Sequence, residues 1–241
     1  MEENATIDMM KSSIGAMIYS SVSIEGIGAT FAQTQEIIEK GRTAGVSTED
    51  IDKVLNIKHA WEYLFDHFGE VPSWELYRNY NRIIGAGNVK DPGEVRAPNS
   101  VMVGTGRLDA YIPPKVTGED DFNRILETAK ATYHDCGDIA CAAFLMLAKA
   151  QFFNDGNKRT AQLLVNHYLA HEDAGYIFCL LEGDRDKMLE TLVEFYMGDL
   201  SLDDAEFDLY DMSIIRATPQ EMCEPKEQEE PAKTWCRGLS R

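Results

Sequence analysis

Apolar residues recur at helical spacing along most of the chain. Val54, Leu55, Ala60, Trp61, Leu64, Phe65 and Phe68 follow Ile51 on one side of a helix. Ser47-Thr48-Glu49-Asp50 supplies a capping box at its start, and Gly69 and Pro72 punctuate its end. The same spacing predicts helices over Ala5–Ser20, Thr30–Lys40, Trp74–Ile84, Asp120–His134 and Asp184–Met197. Ile139–Phe152 is apolar almost all round, which predicts a central buried helix. A polar loop, Asn154 to Asn157, interrupts it, and the helical pattern resumes over Thr160–His171.

Gly85–Gly118 breaks this pattern. It is rich in Gly, Pro and Asn and holds two short β-like runs, Ser100–Val103 and Ala110–Ile112. These predict a small hairpin between Val101 and Val116. The fold class expected is therefore mainly α with one small β-hairpin. Thr218–Lys233 is dense in Glu, Pro, Gln and Lys and reads as a disordered tail.

Composition narrows the function classes. The 241 residues suit one large domain with short additions. A net charge of −18 repels nucleic acid and anionic membrane surfaces, so neither is an expected partner. No apolar run is long enough to span a bilayer, and Met1–Asp8 lacks the basic-then-apolar pattern of a secretory signal. The five cysteines are odd in number and contain no CxxC pair, which argues against a disulfide framework or zinc site. A reducing cytoplasm is the setting this implies.

One stretch carries chemistry: Gln151-Phe152-Phe153-Asn154-Asp155-Gly156-Asn157-Lys158-Arg159 and onward to Gln162. A buried helix ends, a polar loop turns, and a new helix begins. The start of that helix offers unpaired backbone N–H groups and a positive dipole end, which suit an anion. Gly156 allows close backbone approach, and Lys158 and Arg159 add charge there. Asp155 supplies a hard oxygen that can hold Mg²⁺ beside phosphates. The parts describe a site for a magnesium-bound nucleotide. Read alone, Asp-Gly and Gly-Asn are also common turn pairs, and a plain helix–loop–helix accounts for them.

The segment FxDGNKR followed by a helix resembles the signature of the Fic (Fido-fold) family, whose usual form is HPFxDGN(G/K)R. The apolar helix before it fits the same family. So does Pro92-Gly93-Glu94-Val95-Arg96 followed by a hairpin and Pro113-Pro114. The likeness runs over roughly residues 10–200. It implies a Fic/Fido helical fold with a β-hairpin flap near 100–116 that positions a target protein. The implied division is N-terminal helices over 1–45, a core over 46–200 and a C-terminal extension over 201–241. It also implies AMP transfer (AMPylation) from ATP to protein hydroxyls. Asp155 would hold Mg²⁺, and Gly156, Asn157, Lys158 and Arg159 would hold the nucleotide. Upstream, Ser21-Val22-Ser23-Ile24-Glu25-Gly26 resembles the family's inhibitory sequence (S/T)xxxE(G/N). There the glutamate pairs with the last arginine of the signature and obstructs the ATP γ-phosphate. Taken without the family, Ser21–Gly26 is a helix ending at a glycine with Glu25 solvated.

Three positions depart from the family's form. Gln151 stands at the catalytic histidine, Phe152 at the proline and Gln162 at the last arginine. Glutamine has no group that titrates near neutral pH and cannot serve as the base. Gln162 offers Glu25 a hydrogen bond and no charge, so the clamp should be weak. His167 and His171 lie more than roughly 10 Å along the following helix at about 1.5 Å per residue and read as packing or surface residues. His134 precedes the central helix. Lys158 before Arg159 resembles the Doc branch, which transfers phosphate. The readings that stand are a weakened AMP or phosphate transferase, a non-catalytic nucleotide-binding or interaction protein on a Fic scaffold, and a helical domain with a chance motif.

Overall fold

In the computed structural model, residues 4–104, 109–181 and 183–216 are described. The core is organised around α7 (Cys136–Ala150), whose Ala, Phe and Leu side chains leave almost no polar face. Asp135 starts it by accepting a hydrogen bond from the Gly137 N–H at 2.8 Å. Around it pack α8 (Asn157–His171), α6 (Glu119–Thr132), α9 (Arg185–Met197) and α10 (Leu202–Ser213). Phe144, Leu145, Leu147 and Ala148 of α7 are fully buried.

A second layer closes over α8. It contains α2 (Ile14–Glu25), α4 (Thr48–His67) and α5 (Trp74–Ile84), with α1 (Ala5–Ser12) and α3 (Phe31–Lys40) outside them. Local chemistry sets most of their ends. Ser47 and Ser73 cap α4 and α5 by accepting from the Asp50 and Leu76 N–H groups. The reciprocal capping box falls at α3, where Thr30 and Gln33 satisfy one another's backbone N–H. Each such cap contributes about 1 kcal/mol. Gly26 ends α2 in the left-handed region, at φ 72°, where a side chain is disfavoured.

The structure differs from the sequence pattern in four places. The single helix expected over Ala5–Ser20 is two, α1 and α2, broken at Ser13; Ile14 begins a helix that continues to Glu25. Helix α8 begins at Asn157, three residues before the expected start, so the polar loop is tighter than the pattern suggests. The expected hairpin is one antiparallel bridge, Val103 to Tyr111, within the segment 100–116, here called the flap; residues 105–108 lie outside the described residues. Within the expected 201–241 extension, α10 packs on α7 and α9, with Ala205, Leu209 and Met212 buried. The two-residue strands β1 (Ile177–Phe178) and β2 (Ile214–Ile215) pair antiparallel beside it. The expected disordered tail, Thr218–Lys233, lies outside the described residues.

Candidate nucleotide site

The site is built where α7 stops. Gln151 follows the last turn of α7 at φ 48° and ψ 63°, a left-handed conformation unfavourable for a residue with a side chain. That reversal turns the chain away from the helix axis. Phe152 and Phe153 then anchor it in an aromatic cluster. Trp74 stacks on Phe153 with ring centroids 6.0 Å apart, and Tyr77 and Phe122 complete the packing. Both phenylalanines are buried and serve the core.

The loop between the helices is held from α5. The Asn81 amide donates to the Asp155 carbonyl at 2.9 Å and to the Thr160 hydroxyl at 3.1 Å, and its oxygen accepts from the Gly93 N–H at 2.8 Å. Gly156 turns at φ 77°, and a Cβ there would meet Asn81 and Ile84 at 3.2 Å. The position therefore demands glycine on both conformational and steric grounds. Asn157 opens α8 and ties the loop across itself. Its oxygen accepts from the Phe153 N–H at 2.9 Å, and its amide donates to the Phe153 carbonyl at 2.9 Å and to Gln151 Oε1 at 3.0 Å.

These elements form the floor of a cavity of about 490 Å³. Gln151, Asn154, Asp155, Gly156, Asn157 and Lys158 line the floor, and Glu25 enters from α2. Val101, Met102, Val103 and Gly104 of the flap cover one side, and Leu189, Leu192, Val193 and Tyr196 of α9 form an apolar wall. The volume suits a small organic ligand, and the mixture of apolar wall and polar floor suits one with both characters. Among the described residues lining it there is no histidine.

The charges are unevenly placed. Arg159 is 2% exposed, and its Nη2 lies 3.2 Å from Glu25 Oε1 and 3.7 Å from Asp155 Oδ1. Its Nε has no hydrogen-bond partner among the described residues. Lys158 projects into the cavity; burial lowers its pKa, opposed by the nearby Glu25 carboxylate. The Asp155 side chain is 54% exposed, and its Oδ1 accepts from the Gly156 N–H at 2.6 Å. A single exposed carboxylate beside a helix N-terminus is a donor set that fits Mg²⁺, which keeps most of its coordination for phosphate oxygens and water.

Gln151 has little freedom to act. Its amide donates to the Ala148 carbonyl at 2.7 Å, and its oxygen accepts from Asn157. Both polar atoms of the side chain are thus engaged, by the last turn of α7 and the start of α8. His167 is wholly buried, bonded to the Tyr80 hydroxyl at 2.5 Å and the Glu70 carbonyl at 2.7 Å. Burial lowers its pKa, and it packs α8 against α5 away from the cavity floor. His134 is exposed at the far end of α7.

The upstream motif joins the site, with different partners from those expected. Glu25 reaches Arg159, one turn nearer the helix start than Gln162. Gln162 is fully buried and belongs to a neutral network. It accepts from Ser21 Oγ at 2.6 Å and donates to Ser20 Oγ at 2.8 Å, while Ser20 also accepts from the Leu180 N–H at 2.8 Å. Ser21 therefore fastens α2 to α8, and Gly26 ends α2 just past Glu25. Glu25 meets not Gln162 but the arginine three positions earlier, as an ion pair. Sequence reasoning also missed Asn81, Tyr196, the α9 wall and the contacts of Arg96, which it singled out only within the segment Pro92–Arg96. Their partners are largely backbone groups or apolar contacts, which leave no motif.

The sequence model of the Fic/DOC family matches residues 50–169. Protein adenylyltransferase Fic of Drosophila persimilis is 30% identical over 170 residues, covering 66% of this chain and 31% of that protein. The Drosophila erecta protein of the same name is 31% identical over 170 residues, covering 66% and 32%. The chain thus spans about a third of the length of the curated relatives it matches. A Fic domain containing signaling protein from Bacteroides thetaiotaomicron superimposes with a TM-score of 0.65 at 18% identity, covering 87% of this chain and 85% of the other. Fic-1 from C. elegans gives 0.62 at 22% identity, covering 88% and 63%. These structural likenesses speak for the fold. Among the described residues, no helix is long and apolar enough to cross a membrane.

Proposed function

The chain carries a Fic/DOC family domain, and from that premise we propose that it binds a magnesium-bound adenine nucleotide at the Gly156–Arg159 loop while its capacity for AMP transfer is weak or lost. The observation that carries the reading is the state of Gln151. It stands at the end of α7 on the cavity floor, and both polar atoms of its side chain are bonded, one to the last turn of α7 and one to the first residue of α8.

Consider what transfer requires. A target hydroxyl oxygen forms a bond to the nucleotide α-phosphorus, the bond to the pyrophosphate oxygen breaks, and the hydroxyl proton needs an acceptor. A neutral amide is no such acceptor at ordinary pH. General base assistance is worth about 10²–10⁴-fold, so its absence leaves positioning and electrostatics alone. Mg²⁺ bound with the nucleotide would supply neutralisation of phosphate charge, with Asp155 as its protein ligand. The backbone N–H groups at the start of α8 and the Lys158 amine suit the phosphates. The apolar wall of Leu189, Leu192 and Val193 suits a base.

Glu25 supports a further brake. By pairing with Arg159 it occupies the cation that would otherwise face phosphate. Calorimetry with Mg·ATP and Mg·ADP tests binding. A folded protein that binds no purine nucleotide contradicts the proposal. Transfer is read with α-labelled and γ-labelled ATP in parallel, because Lys158 at the variable signature position also resembles the phosphate-transferring Doc branch. Label from the γ-position alone favours that second reading.

A further inference from the structure

Arg96 is a buried cation whose neighbours are unusual. It is 4% exposed, no ion pair to a carboxylate is seen for it among the described residues, and burial lowers its pKa, opposed by Tyr111. Its donors go to backbone carbonyls instead. Nε donates to the Gln151 carbonyl, and Nη2 donates to the Pro114 carbonyl at 2.5 Å and the Ala150 carbonyl at 3.4 Å. Its own main-chain N–H donates to the Phe152 carbonyl at 2.9 Å.

The acceptors belong to two different elements, the end of α7 and the returning limb of the flap. Ala150 and Gln151 carry buried carbonyls at the end of α7, where a cation offsets the negative end of the helix dipole. That end adjoins a floor suited to anions, so uncompensated carbonyls there would oppose the α8 N-terminus. Pro114 is where the flap returns to the body after its Val103–Tyr111 bridge. Val101 to Gly104, on the other limb of the flap, cover the cavity. Gln151 holds a left-handed backbone, a conformation that persists only where surrounding contacts over-determine it. The rigid fork of an arginine can bridge these carbonyls at once; the single nitrogen of a lysine cannot reproduce that geometry.

We propose that Arg96 is a positioning residue that ties the flap to the backbone of position 151, so that the conformation of one constrains the other. Any occupant that orders the flap then biases the direction of the side chain at 151, and the coupling runs equally in reverse. Capping of α7 alone would act on the helix end and leave the flap bridge unchanged. The inference does not depend on the nucleotide reading, because the contacts involve only this chain.

Amide hydrogen exchange on the full chain without ligand tests it. The reporters are Val103 and Tyr111, whose N–H groups make the flap bridge, and Phe153, whose N–H is held by Asn157. In Arg96→Met all three should exchange faster by a common factor of about ten or more, while Trp61 in α4 stays within about twofold, as local opening requires. Arg96→Lys, which keeps the charge, should shift the same three amides, and it carries the test if Arg96→Met does not fold. Arg78→Met removes neighbouring contacts to Gly93 and Glu94, and should leave them unchanged. The proposal is overturned if the bridge amides and Phe153 respond separately, if Trp61 accelerates equally, if lysine preserves wild-type exchange, or if Arg78→Met reproduces the effect.

Discussion

Glu25 and Arg159 meet at 3.2 Å across two helices separated by more than a hundred residues of sequence. Arg159 is almost wholly enclosed, while the Glu25 side chain is 23% exposed at the cavity edge. The pair therefore has a buried side that must be satisfied and an open side that a ligand can reach. Replacing Glu25 by Gly should free Arg159 for phosphate and tighten Mg·ATP binding several-fold by calorimetry. The same change leaves Arg159 with only the longer Asp155 contact, so stability in urea should fall by about 1–3 kcal/mol. Unchanged nucleotide affinity in a folded variant contradicts the assignment of Glu25 as a brake.

Asn81 should matter to the loop more than its place on α5 suggests. Three hydrogen bonds converge on its amide, joining Asp155, Thr160 and Gly93. Asn81→Ala leaves those groups without these partners, at a cost of about 1–3 kcal/mol. It should also weaken nucleotide binding, because the start of α8 is no longer held. Asn79→Ala, two residues away and half-buried against the Tyr63 hydroxyl of α4, serves as the comparison because it does not touch the loop. Equal effects from both variants would contradict the argument.

Two buried groups make stability depend on pH in opposite senses. Glu206 on α10 is pushed up to about 7 by burial and by the negative charges of Asp138, Asp203 and Asp135. Its folded pKa exceeds the unfolded value of 4.5, so the fold favours the protonated form. That contribution is full below the unfolded value and is lost as pH rises through about 7. His167 behaves conversely: burial lowers its pKa from 6.5, so the unfolded chain takes up the proton first and stability falls as pH drops below 6.5. Melting temperatures between pH 5 and 8 should show Glu206→Gln flattening the alkaline side and leaving the acidic side alone. A Glu206→Gln profile that parallels wild type would contradict the assignment.

Much of the helical layout was legible because local chemistry and burial agree. Helix α5 has Ser73 before it, Gly85 after it, and buried Leu76, Tyr77, Tyr80 and Ile84 between. Helix α10 was not legible. Asp203, Asp204, Asp208 and Asp211 give it the look of a solvated segment, while its packing rests on a few small and apolar residues. The break at Ser13 carries no proline, and the nearby Gly15 already lies inside α2. At the site, the loop proposed to hold phosphate stood out because its glycine, cations and carboxylate lie together in sequence. The partner of Glu25 was not, since Arg159 and Gln162 lie one turn apart on α8 and only packing selects between them. Arg96 stood out only as the end of the Pro92–Arg96 segment, and its role was illegible because its acceptors are carbonyls, which every residue has.

The central claim is that one proton acceptor is missing from an otherwise assembled nucleotide site. It is tested most directly by AMP incorporation from α-labelled ATP into the protein itself, comparing wild type, Gln151→Ala and Gln151→His combined with Glu25→Gly. Phe152 stays in place, since it packs among Trp74, Tyr77 and Phe153. The account predicts little or no incorporation by wild type and Gln151→Ala, and a rise of about 10²–10⁴-fold for the histidine variant. Robust incorporation by wild type, unchanged in Gln151→Ala, would contradict it and place the base elsewhere in the cavity.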